Sequence, residues 1–226
     1  MAAKERKGSG VLRIIFFPLR LALLVILPFI LLIRVSVLAY AQFELSTWLS
    51  LGVGGLLTFL LLYFYMNRIS RAILGKKKST DGTRTFSLRA AMFIVGGFCL
   101  YALLYLSASN AKTETVKSEF TSVHPLLRLS VSALALLDQD LIITDMSRTH
   151  ADYDDMGLKR LNNSLHYPQK DGYVHAIDLR TNGRSEWRNS LLKWYFWAMG
   201  MNTLRHVGTG DHLHISLIIW DNPKAI

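Results

Sequence analysis

Residues 11–41 read VLRIIFFPLRLALLVILPFILLIRVSVLAYA, an apolar run longer than the ~20 helical residues that a bilayer core requires. Working outward, two more such runs follow at 47–66 and 88–108, and the spacing predicts three membrane-spanning helices. The composition agrees. Of 226 residues, 51% are hydrophobic and only 19% charged, with a mean hydropathy of +0.26. Pro18, Arg20, Pro28 and Arg34 interrupt the first run, so Arg20 is expected to snorkel at one interface and Arg34 to lie toward the other. A cleaved signal peptide fits poorly, because the apolar run is too long and no small-residue cleavage site follows it.

The net charge of +10 invites a nucleic-acid reading, but its distribution argues against one. Residues 1–111 hold 13 Lys and Arg against Glu5, Glu44 and Asp81, whereas residues 112–226 hold 13 of each sign. The excess belongs to the membrane half. Lys4, Arg6 and Lys7 precede the first run; Arg68, Arg71, Lys76, Lys77, Lys78, Arg84 and Arg89 lie between the second and third; residues 42–46 carry no basic side chain. This asymmetry predicts a cytoplasmic N-terminus and an extracytoplasmic C-terminal half, in the inner (cytoplasmic) membrane of a bacterium. Glycines 52, 54, 55, 96 and 97 are expected to let the helices approach closely.

The expected organisation is a membrane domain over 1–109, a polar linker over 110–124 and one small α+β domain with an antiparallel sheet over 125–226. Apolar periodicity predicts helices at 125–137, 152–162 and 186–199, with strands at 141–144, 173–179 and 212–220. Cys99, alone of its kind and inside an apolar run, excludes an intrachain disulfide and a cysteine-based metal site. All seven histidines (124, 150, 166, 175, 206, 212 and 214) fall in the C-terminal half, a bias that points to metal, since imidazole is the commonest zinc ligand. His124, His150 and His206 are most simply surface residues.

Three short stretches carry a resemblance. Ile143-Thr144-Asp145-Met146-Ser147-Arg148 resembles the strand and Ser-x-Arg entry of the zinc D-alanyl-D-alanine peptidases, which include VanY-type carboxypeptidases, related phage endolysins and hedgehog proteins of similar fold. Ser164-Leu165-His166 followed by Ala176-Ile177-Asp178 resembles their Ser-x-His and Ala-x-Asp motifs, and Asp211-His212-Leu213-His214 their last one. The similarity spans residues 141–218. It implies zinc held by His166, Asp178 and His214, Asp211 as general base, and Arg148 for the oxyanion or a substrate carboxylate. His212 shares a strand face with His214 and competes for the base role.

Eleven residues separate His166 from Asp178, against six in the family. Residues 168–172 read as an extra turn. His175 becomes a rival ligand, although three residues from Asp178 on a strand it faces the other way. The implied activity is hydrolysis of peptidoglycan stem peptides by a membrane-anchored carboxypeptidase or endopeptidase. The alternatives are a non-catalytic domain of the same fold that binds peptidoglycan or a partner protein, and a subunit of an envelope complex using Arg34 for contacts.

Overall fold

The computed structural model describes residues 8–74, 81–157, 159, 163–208 and 210–217. Lys4, Arg6, Lys7, Lys76, Lys77, Lys78, the end of the helix expected at 152–162 and the last residues of the strand expected at 212–220 lie outside them.

Three long helices come first: α1 (Gly8–Phe43), α2 (Thr47–Leu74) and α3 (Asp81–Leu104). All are long and apolar enough to cross a bilayer. Among the five glycines only Gly54 meets a close neighbour, because a Cβ there would collide with the Ser36 hydroxyl and the Leu32 carbonyl of α1; the other four face open space.

Residues 110–124 are not a free linker. Thr113 caps the short helix α4 (Glu114–Ser118), and Val116, Phe120 and Val123 are buried. Helix α5 (Pro125–Ala135) follows, with proline at its first position and every residue from Pro125 to Ala133 buried. It packs against α1, α2 and α3. Arg128 donates to the Leu103 carbonyl at 2.5 Å, and the Ser132 hydroxyl to that of Ala102 at 3.3 Å. Carbonyls in the last turn of a helix have no partner within it, and a cation there also meets the negative end of the helix dipole. The end of α3 is therefore finished by side chains of α5, and one core joins Leu32, Ile33, Val37 and Ala102 to Leu126, Leu129, Ile177 and Ile215.

The remaining elements are β1 (Ile143–Asp145), α6 (His150–Asp155), β2 (Ala176–Arg180), α7 (Glu186–Ala198), β3 (Asn202–His206) and β4 (His212–Ser216). The four strands form an antiparallel sheet in the order β1-β2-β4-β3. A capping box of Thr149 and Asp152 starts α6 two residues earlier than expected. β3 is an edge strand with only exposed and half-buried residues, so no apolar alternation announces it. Asp178 pairs with His214 and Arg180 with His212, which puts these four on one face; Ile177, Leu179, Leu213 and Ile215, all buried, take the other. The apolar face rests on α5 and α7, and α5 rests on the membrane helices. The polar face is therefore the one farthest from them.

Arg34 does not end among headgroups alone. Its guanidinium stands over Gly200, two residues past the end of α7, where a Cβ would collide with it and where φ is +91°.

Candidate metal centre

His166 is held from three sides. Its backbone N–H donates to the Ser164 hydroxyl at 3.3 Å, its carbonyl accepts from Arg148 N at 2.9 Å, and its ring Nδ1 lies 2.7 Å from the Met146 carbonyl. Only a protonated Nδ1 can bond that carbonyl, which leaves the Nε2 lone pair aimed at β2 and β4. An Nδ1–H on a carbonyl with Nε2 free is the arrangement of a metal-ligating histidine. The Ser164 hydroxyl is fixed in turn by Tyr153 Oη at 2.7 Å, which explains why a serine stands two residues before the histidine.

Three atoms converge there. His166 Nε2 is 3.2 Å from His214 Nδ1 and 3.4 Å from Asp178 Oδ1, and the last two are 2.9 Å apart. Two ligands of a tetrahedral zinc, each about 2.05 Å from the ion, stand about 3.3 Å apart, so the spacing suits such an ion. Burial would raise the Asp178 pKa, but the His166 and His214 rings beside it outweigh that and hold the carboxyl far below its usual range. Its second oxygen accepts from Arg148 at 2.9 Å. Arg148 also donates to Asp145 at 2.6 Å and to Tyr153 Oη at 3.4 Å. Its immediate work is to orient the ligand carboxylate. An irregularity of register between β1 and β2 at Ile143 and Asp145 brings Asp145 into reach.

The two candidate bases lie differently. Asp211 immediately precedes β4 and lines the same cleft as His212. Its carboxylate accepts from Thr181 Oγ1 at 2.5 Å and from Arg205 at 2.8 and 3.1 Å. Arg205 above all, then Thr181, lowers its pKa. His212 Nδ1 bonds the Gly210 carbonyl, so its Nε2 lone pair is free and stands 3.6 Å from Asp178 Oδ2. His206 is exposed, as expected, and stacks on the His212 ring at 4.8 Å. Both candidate bases border the cleft: His212 Nε2 is close to the Asp178 carboxylate, and the Asp211 carboxylate is engaged by Arg205 and Thr181. A cleft of about 640 Å³ opens here, lined by Lys112, Thr144, Arg148, Arg180 and His212 among others.

His175 belongs to a second cluster. Residues 168–172 fold as a tight turn closed by Gly172 N–H on the Gln169 carbonyl, with Gly172 at φ +79°. The turn supplies Asp171, whose carboxylate accepts from His175 Nε2 at 2.9 and 3.0 Å. His124 completes the group with Nε2 3.5 Å from Asp171. His124, expected at the surface, is fully buried. Although these three side chains are close enough to surround an ion, His124 Nδ1 accepts from Leu126 N–H at 3.2 Å. Its Nε2 then carries the proton, which bonds Thr47 Oγ1 at 2.9 Å, at the start of α2. A ring used on both sides in this way offers no lone pair to a metal. The cluster is a polar joint between the membrane helices and the domain.

Burial, then the neighbouring His175, pushes the His124 pKa from 6.5 down to about 3, with Asp171 opposing. Between those values the unfolded chain binds a proton that the native one refuses, so stability is full above about pH 6.5 and is lost as pH falls toward 3. At pH 5 the expected loss is roughly 2 kcal/mol. Thermal unfolding of the full chain at pH 7 and pH 5 checks it; the pH 5 penalty should shrink in His124→Gln, and an unchanged penalty refutes the assignment.

Compared with known proteins, the chain matches no family model, no curated protein and no solved structure.

Proposed function

We propose that this chain is a membrane-anchored zinc metallopeptidase that hydrolyses peptidoglycan stem peptides outside the inner membrane. The observation that carries the reading is the convergence of His166 Nε2, Asp178 Oδ1 and His214 Nδ1, with the His166 tautomer set by the Met146 carbonyl. Three protein ligands suit a catalytic rather than a structural zinc. When bound there, zinc supplies Lewis acidity and lowers the pKa of a water toward neutrality.

The chain's own residues do the rest. His212 Nε2 accepts the proton of the attacking water and returns it to the departing amine. Arg148 holds Asp178 and adds positive charge near the oxyanion. Lys112 and Arg180 line the cleft and have no carboxylate partner among the described residues, so they are free to grip carboxylates of a stem peptide. The basic residues before α1 and around the α2–α3 connection favour a cytoplasmic location for those segments, which would leave the domain on the side of this substrate.

A specific observation favours a second reading. The acid of the last motif is tied to Arg205 and Thr181, as expected of a domain that binds peptidoglycan or a partner without turnover. The deciding experiment digests purified muropeptides with the full chain in detergent. Release of D-alanine or of cleaved cross-links, abolished by a chelator and restored by zinc, supports the enzyme. A fully zinc-loaded protein with no turnover on any stem peptide sinks it in favour of the binding domain.

A further inference from the structure

α7 has two apolar faces. Leu192, Phe196 and Met199 are buried in the core, whereas Trp187, Trp194 and Trp197 are 66%, 61% and 63% exposed, with Leu191 between them. Positions 187, 191 and 194 follow the i, i+4, i+7 spacing of one helical stripe. At the end of α5, Leu136 and Leu137 are exposed as well.

The place of this surface indicates what covers it. Tyr195 of α7, Met199 just past its end and Leu136 line one apolar cleft of about 100 Å³ with Val25, Ile26 and Phe29 of α1. These α1 residues belong to the span Leu24–Phe43. At 1.5 Å per residue, Val25 lies about 27 Å and Phe29 about 21 Å along α1 from its domain-side end. α5 runs beside α1 in the same sense of depth, with His124 near Tyr40 and its C-terminal end at the cleft. The ends of α5 and α7 thus sit alongside a membrane span, and the stripe continues its lipid-facing side.

We infer that the outer stripe of α7, with Leu136 and Leu137, is immersed in the acyl region of the bilayer alongside α1. Tryptophan suits such a position, since its ring is apolar and its N–H reaches the polar boundary. Asp138 near the stripe is neutralised by Arg184 and, at 2.8 Å, by Arg188, and Lys193, exposed four residues before Trp197, has a stem long enough to carry its charge to the polar boundary. The domain is held to the bilayer by its own helices as well as by the three spans. This inference does not depend on the metal reading.

The test places spin labels on the full chain in pure lipid vesicles. In a Cys99→Ala background, single cysteines replace Leu191, Trp194 and Trp197, with Asp155→Cys on the exposed end of α6, beside the polar cleft, as the aqueous reference. The first three labels are expected to relax with oxygen, which dissolves in lipid, at least several-fold more than with a water-soluble nickel chelate, and the label at 155 to show the reverse. Labels at 191, 194 and 197 as open to the chelate as the reference overturn the proposal. Protection of all three from both reagents also overturns it, in favour of a second copy of the chain covering the stripe.

Discussion

His166→Ala is expected to strip zinc from the full-length protein, and His175→Ala to leave it bound. His166 offers its Nε2 lone pair to the triad, whereas the His175 Nε2 is spent on Asp171. Loss of a side chain that merely supports a ligand costs metal affinity about 10–100-fold, so loss of a ligand itself should cost more than about 100-fold. Metal content after dialysis against a graded chelator measures it. A larger loss in the His175 variant would reassign the ligand and make the cluster around Asp171 the metal centre.

His212→Ala is expected to keep its zinc and to lose turnover by about 10²–10⁴-fold, the usual contribution of a positioned base. Asp211→Ala should lose far less, because that carboxylate, although it borders the cleft, is taken up by Arg205 and Thr181. Both variants are compared in kcat on purified muropeptides, with metal content measured in parallel. A collapse of turnover confined to Asp211→Ala returns the base role to the acid.

The candidate metal ligands are legible in sequence because each sits in a short motif whose neighbours act locally. Ser164 bonds the His166 N–H, and alternation along β2 and β4 puts Asp178 opposite His214. The division of labour around them is not legible. Arg205, which claims Asp211, stands on an edge strand with no apolar pattern to reveal it. Asp171, which claims His175, arrives on a turn that reads in sequence as a mere lengthening of a loop. His124 reads as a surface residue until the fold brings Thr47 to it from 77 positions away. The stretch 110–124 is polar by composition, yet its few apolar residues fall where the fold buries them.

Arg128 and Ser132 bond the last turn of α3, Thr47 bonds His124, and the core runs without a break from α1 to the sheet. Such a junction has no slack. A domain on a flexible tether sweeps a volume set by tether length, whereas this one keeps its cleft at a constant height above the bilayer. For a wall-cutting enzyme that height acts as a gauge, selecting peptides in one thin layer next to the membrane and sparing the same bonds farther out. Removing the chain before residue 110 would not release a diffusible domain; it would expose the apolar underside of α5 and destroy the reach limit together with the fold.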